Sequence, residues 1–539
     1  MAGLLAALAL GAETKAPREP AVSSVFPPGG QRGTSFSIQV RGKGLEGSRA
    51  LLWEGTGITA ELLESDAEGV RARIRISPEA ALKKHSFRVV TPRGVTERLA
   101  LAVVADPGVE EAQAGDVLRK FPVVIYGRLG QPGENAAYWL EVAAGTTLTF
   151  AANSGGPKFD PALAVYEPTG SWFDPHRLNR IAFNDEPLSF PGLSTDARLT
   201  HRFARAGKYC LRVQGFGGEG GPDAVYQLRI VPGVEPAPVL HPEGTPGWEE
   251  RQFTRVLARD RLTELAHRGG ESKQVSAPEV FHAAKEGTTE IPTMSPPGIV
   301  EGKIERAGEA HAIRVRVDKP QDLAIEVETP QATLPRFNPV VRLMEPGGRE
   351  MATDVYTKLN NNGLYMMKMI EAKTTVSLRA PGIYSMQIRD ITTDCGGEEF
   401  TYRVLVRPQM PHVGKITLAE DHLNLEAGSS RPLNLQIDRE EGFQDYVTAA
   451  VEGLPAGVTA MTAIENPQEK PPLPNGGRLE RYVAREQRLS VMLVAAPDAP
   501  LTEMPARVRV SVRVVHEGRI QEPVAVEEIP VMVIARRES

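Results

Sequence analysis

One pattern constrains this chain more than any other: "AGKYCLRVQ" at 206–214 returns in altered form as "PGIYSMQIR" at 381–389. The correspondence continues in register on both sides. "GRLGQPGENAAYWLEV" (127–142) aligns with "GKIERAGEAHAIRVRV" (302–317), "FDPALAVYEPTG" (159–170) with "FNPVVRLMEPGG" (337–348), and "YQLRIVP" (226–232) with "YRVLVRP" (402–408). Matching features stay 175 to 178 positions apart, so a unit of about 110 residues is written twice, as a duplicated domain and not a solenoid. Within it, alternation of period two puts Tyr209, Leu211 and Val213 on one face of a strand, and Tyr384, Met386 and Ile388 on the same face of the second copy. Gly207 and Gly382 precede these strands and are expected to permit a tight turn into the final hairpin.

The flanking regions carry the same strand signature. Residues 20–104 alternate short strand-like runs ("SFSIQVRG", "VRARIRIS", "HSFRVVTP", "RLALAVVA") with turns, the spacing of a β-sandwich. Near the C-terminus, "RVRVSVRVV" sets Val508, Val510, Val512 and Val514 to one side and Arg507, Arg509, Ser511 and Arg513 to the other, a half-buried antiparallel strand. Between the two copies, Phe253, Val256, Leu257, Leu262 and Leu265 have helical spacing that Gly269 and Gly270 stop. The segment after it, through residue 295, reads as a linker. The expectation is an all-β chain of tandem β-sandwich domains, immunoglobulin-like and jelly-roll-like, with a short helical linker segment.

A length of 539 residues is enough for about three to five domains. Hydrophobic residues at 41% and charged residues at 24% argue against global disorder. A net charge of −6 gives no basic field for phosphates, which excludes nucleic acid as the expected partner. The start, "MAGLLAALALGAETKAP", has the small-residue apolar run and Ala-x-Ala of a signal peptide without its positive n-region, so export is expected. No segment reaches the ~18 apolar residues of a membrane helix. Only Cys210 and Cys395 occur, at non-equivalent positions of the two copies, which argues against structural zinc and leaves a bridge between them open.

Three resemblances follow from these residues. The order Asp-Pro or Asn-Pro, apolar strand, Pro-x-Gly, "ND", "AG-x-Y-x-L-x-V" and a closing "Y-x-L-x-V" resembles the bacterial pre-peptidase C-terminal domain. That resemblance implies a non-catalytic jelly-roll-like module of secreted peptidases and surface proteins, calcium-binding or matrix-binding in some relatives. "VFPPGGQRGTSFSIQVRGKGL" is similar to the opening of IPT/TIG-type domains, and "EGLPAGV" with "LNLEAGSSRPLNLQI" resembles a bacterial immunoglobulin-like domain. The expected division is a truncated signal peptide and spacer (1–19), an IPT/TIG-like sandwich (20–105), the first copy (106–235), helix and linker (236–295), the second copy (296–408) and an immunoglobulin-like sandwich (409–539).

Chemistry is sparse. There is no G-x-S-x-G, H-E-x-x-H or P-loop, and the ten histidines are scattered, so no catalytic residue is assigned. Asp160, Asn184, Asp185 and Asp196 of the first copy are hard oxygen donors on loops and the candidate calcium ligands, although the same residue types form ordinary turns. The second copy offers Asn338, Asn360, Asn361 and Glu371, with less charge. The alternation that buries Tyr138, Leu140 and Val142 turns Trp139 outward, and with Trp172 and Phe173 it forms a candidate ligand-binding surface; packing against a neighbouring domain is the competing reading. "GFGGEGGPD" reads as a flexible hairpin tip. The functional expectation is a non-catalytic extracellular, cell-surface or periplasmic binding or scaffold protein for polysaccharide or envelope protein. The alternative is an accessory subunit that targets a secreted peptidase or glycan hydrolase.

Overall fold

The structure is a computed structural model that describes residues 19–111, 117–168, 178–185, 196–234, 261–271, 273–328, 339–354, 360–361, 366–367, 373–390, 396–397, 400–462 and 485–536. These residues form tandem β-sandwiches. Four hydrophobic cores each lie between two sheets. The first core draws Ile38 and Val40 from one sheet and Phe87, Val89 and Leu101 from the other. The last contains Val508, Val510, Val512 and Val514 together, as period-two alternation requires.

The duplicated units share one topology. In the first, one sheet runs Gly108–Glu110, Val123–Arg128, Val225–Pro232, Thr147–Ser154, Ala197–Arg202. The second copy repeats the order as Glu279–His282, Gly298–Lys303, Thr401–Pro408, Gln321–Glu328, Lys373–Leu378. The facing sheet of the first copy runs Val117–Leu118, Asn135–Val142, Gly207–Gly215, Pro161–Pro168, Leu178–Asn184. Tyr209, Leu211 and Val213 lie in one core, and Tyr384, Met386 and Ile388 in the other.

Particular repeated residues have particular causes. The Tyr209 hydroxyl donates to the Arg205 carbonyl at 2.9 Å, and Tyr384 does the same to Ala380 at 2.7 Å, each reaching back over the turn that precedes its strand. The turn therefore rests on the tyrosine. Gly207 is not among the glycines with positive φ, which corrects the expectation of glycine freedom at this turn in the first copy, whereas Gly382 of the second copy has φ 158°. The demanding glycines are Gly127 and Gly302. A Cβ at either would stand 2.3 Å from the ring of Tyr226 or the hydroxyl of Tyr402, so only glycine lets the buried ring lie against the neighbouring strand. Each ring then anchors a buried polar chain. Tyr226 and Tyr138 are linked at 2.7 Å, with Tyr138 donating to Glu111; Tyr402 donates to His311 Nδ1, whose Nε2–H donates to Glu309 at 3.0 Å.

The stretch expected to be a linker is built into the third sandwich. Glu279–His282 pairs in parallel with Gly298–Lys303, Ala284–Lys285 and Thr293–Met294 pair with Ala310–Val317, and Met294 enters the core. Edge strands need backbone hydrogen bonds more than apolar side chains, so hydrophobic density does not reveal them. The helix spans Arg261–Arg268, and Leu262 packs with Ile299 and Leu405 of the third sandwich. Phe253, Val256 and Leu257 lie outside the described residues.

The sandwiches contact one another through polar clamps. Ser23 and Ser24 both donate to Asp223 Oδ1, at 2.9 and 2.8 Å, joining the first and second. The first also meets the fourth. The Asn424 side-chain amide accepts from Val95 N–H at 2.8 Å and donates to Val95 C=O at 2.9 Å, while buried Arg88 pairs with Asp421 at 2.9 Å. Val90 and Val95 pack there on Met532 and Ile534.

Candidate functional site

The outer face of the second sandwich carries the features to explain. In the strand Asn135–Val142, Ala136, Tyr138, Leu140 and Val142 are buried and Trp139 points the other way, half-buried. Across the sheet, Trp139 lies opposite Cys210, Cys210 opposite Tyr166, and Tyr166 opposite Arg180. One step along, Ala137, Arg212, Ala164 and Phe183 form a parallel row. Small Cys210 and Ala164 make a buried floor between larger neighbours. The Arg212 guanidinium lies 4.7 Å from the Tyr166 ring centroid, and that of Arg180 lies 4.9 Å from Phe183, which is 38% exposed. Trp139 and Tyr166 are two strand spacings apart, about 10 Å. Cys210 is a free thiol whose pKa is raised by burial, as befits a floor residue with no access to solvent.

Sequence alternation located Trp139 but missed Tyr166, Phe183, Arg180 and Arg212. Tyr166 was recoverable, because Leu163 and Val165 face the core and the residue after them must face out. Phe183 was not: a register shift between Val165 and Tyr166 breaks the phase, and both Ile181 and Ala182 pack on the core. Trp172 and Phe173 lie outside the described residues, as do Asn338, Glu371 and Cys395. Asn360 and Asn361 form a two-residue strand paired with Met366 and Met367.

At one end of the same sheet the strand ends gather carboxylates. Asp160 precedes Pro161–Pro168, Asp185 follows Leu178–Asn184, and Glu219 follows Gly207–Gly215 through a short turn at Phe216–Gly218. Glu219, in the segment expected to be a hairpin tip, accepts the Asp160 N–H at 2.9 Å and brings a further carboxylate to this end. Burial, then the charges of Glu219, Asp185 and Asp196, push the Asp160 carboxyl up to about 6. Among the described residues its buried Oδ1 has no hydrogen-bond partner. Such oxygens fit a hard cation.

Two of the expected ligands have other work. Asp196 accepts the Ser154 N–H at 2.8 Å and is ion-paired with Lys84 of the first sandwich. Asn184 donates to the Arg198 carbonyl at 2.6 Å and accepts the Asp185 N–H at 3.1 Å, a turn-forming role. The carboxylates that remain at this end are Asp160, Asp185 and Glu219, near enough for the charges of Glu219 and Asp185 to act on Asp160.

Among the described residues, the group of three whose potential ligand atoms lie within 4.8 Å of one another is His412, Glu440 and Glu441, and not the carboxylates at the end of the second sandwich's sheet. That position is filled. Arg407 takes both oxygens of Glu441, Lys373 contacts Glu440 and Glu441, and the Met410 N–H donates to Glu441. Cationic side chains already supply the countercharge, so the group is a joint between the third and fourth sandwiches.

Neither a family model nor a curated protein matches the sequence. Among solved structures, the pre-peptidase C-terminal domain of a Bacillus anthracis collagenase is similar at 15% identity over 23% of this chain and 97% of that one, with a TM-score of 0.16. SGBP-B from a xyloglucan utilization locus in Bacteroides uniformis is similar at 12% identity over 40% and 73%, with a TM-score of 0.15. The secreted serine protease VesC of Vibrio cholerae is similar at 10% identity over 39% of this chain and 47% of its own, with a TM-score of 0.15. Likenesses this remote leave function to the residues. Among the described residues, no helix is long and apolar enough to cross a membrane.

Proposed function

We propose that the chain is a non-catalytic extracellular binding protein whose second sandwich presents an open sheet face to polysaccharide. The observation that supports this reading is that Trp139 and Tyr166 share one cross-strand row and Phe183 lies in the next row of the same face. Flat aromatic side chains with one face toward solvent stack on the C–H faces of sugar rings, and a rigid sheet holds them at fixed spacing. The second copy keeps the core and not the face, carrying Arg314, Ser385 and Met344 at the positions of Trp139, Cys210 and Tyr166. The carboxylates Asp160, Asp185 and Glu219 at the end of the sheet are the proposed calcium ligands.

Co-sedimentation of the full chain with insoluble cell-wall, chitin, cellulose and collagen preparations tests the reading, beside Trp139→Ala. The expected result is pelleting with a polysaccharide that the variant loses. Pelleting with collagen alone, or equal pelleting of variant and wild type, overturns it.

A further inference from the structure

The aromatic face carries a charge pattern that narrows its ligand. Arg180 and Arg212 stand on the rings of Phe183 and Tyr166, and among the described residues neither forms an ion pair. On the same face Lys208 is exposed, while Glu141 is paired with Arg119 at 2.7 Å. A guanidinium held over an aromatic ring is already placed, so it loses less freedom on meeting an anion, and its donors can pair with a carboxylate. Such groups can donate to the hydroxyls of a neutral glycan, but only an anionic one adds the stronger charge-assisted, bidentate pair.

Resting on the proposed polysaccharide-binding role, we propose that the ligand is an acidic polysaccharide containing uronate residues. The sugars stack on Trp139, and their carboxylates reach Arg212 over Tyr166 and Arg180 over Phe183. A uronate carboxylate lies at the rim of its ring and leaves both C–H faces free to stack, which suits a surface made of both groups. The acidic end at Asp160, Asp185 and Glu219 repels such a polymer along the strand direction. The chain therefore crosses the strands, along the row from Trp139 through Tyr166 to Arg180.

The test is calorimetric titration of the full chain, in calcium-free buffer, with soluble polygalacturonate, its fully methyl-esterified form and dextran sulfate. Wild type, Trp139→Ala and the double variant Arg180→Gln, Arg212→Gln are compared, with melting curves to confirm folding. Esterification keeps the sugar backbone and removes the charge. Expected are tighter binding of the free acid than of the ester by roughly tenfold or more, loss of that preference in the arginine variant, and loss of binding in Trp139→Ala. Equal binding of acid and ester, abolished by Trp139→Ala, overturns the uronate inference and leaves the polysaccharide reading standing. Tighter binding of dextran sulfate than of polygalacturonate overturns the choice of carboxylate. Binding that ignores Trp139 in every polymer overturns both.

Discussion

Arg407 and Glu441 meet through two guanidinium–carboxylate hydrogen bonds of 2.7 Å, with neither side chain exposed to solvent. Arg407 belongs to the third sandwich and Glu441 to the fourth, and the same guanidinium donates to Glu326 at 2.6 and 2.8 Å. Glu326 in turn accepts from Arg261 of the helix at 3.2 Å. The joint is thus a closed set of charges whose members cannot be removed singly without leaving a buried ion.

Arg407→Met leaves Glu326 and Glu441 without their main countercharge. Breaking a buried pair costs about 3–5 kcal/mol, and the loss should appear as an earlier denaturant midpoint for the third and fourth sandwiches. Arg407→Lys retains charge but not the fork and should fall between. Coincident wild-type and Met-variant curves would show that the pair has no net role.

Acid should loosen the same joint in two stages. Burial, then the Lys373 charge, lower His412 to about 3, so it stays neutral in the fold while the unfolded residue takes a proton near 6.5. A group with a lowered folded pKa contributes stability above its unfolded value and loses it on acidification, here from about pH 6.5 toward 3. Burial raises the Glu441 carboxyl, but the Arg407 hydrogen bonds and Lys373 charge outweigh it and hold it at about 2, so its share is lost between about pH 4.5 and 2. Urea midpoints at pH 7, 5.5 and 4.5 should decline, and His412→Gln should flatten that decline. An unchanged slope in the variant assigns it elsewhere.

Asp160 has the opposite sign. Its folded pKa of about 6 lies above the ordinary 3.8, so its contribution is full below pH 3.8 and lost as pH rises through 6. Asp160→Asn should therefore raise the melting temperature at pH 7 in calcium-free buffer, with the gain gone below pH 3.8. Calcium should raise the wild-type melting temperature and leave the variant's unmoved. A calcium shift of equal size in both proteins would remove Asp160 from the donor set.

Asn424→Ala removes both hydrogen bonds to Val95, whose side chain is buried between the first and fourth sandwiches. Leaving buried backbone groups unpaired costs about 1–3 kcal/mol. If this clamp holds the two sandwiches together, small-angle scattering of the variant should show a larger radius of gyration. An unchanged scattering profile would mean that the apolar contact and Arg88–Asp421 suffice.

Gly127→Ala and Gly302→Ala place a methyl against Tyr226 and Tyr402. Neither ring can yield freely, since each hydroxyl is tied into a buried chain. Overpacking costs about 1–3 kcal/mol, and comparable falls in melting temperature are expected in the two copies. Tolerance in one copy alone would show that its buried polar chain can shift.

Local alternation and repetition determined what was legible in the sequence by itself. Period two is a property of a single strand, so Tyr209, Leu211 and Val213, their counterparts Tyr384, Met386 and Ile388, and the outward turn of Trp139 could be assigned from neighbours in sequence alone. The tertiary structure decided everything that depends on which strands lie side by side. Trp139 and Tyr166 share a row only because both strands pair with the strand containing Cys210, and a register shift hid Phe183 from any periodic reading. Glu219 joins Asp160 across 59 positions, Asp196 is drawn away by Lys84 of another sandwich, and Arg407 finds Glu441 across a domain joint. Sequence spacing carries side-chain direction along a strand; pairing between strands and contact between domains follow from burial and hydrogen bonding of the whole chain.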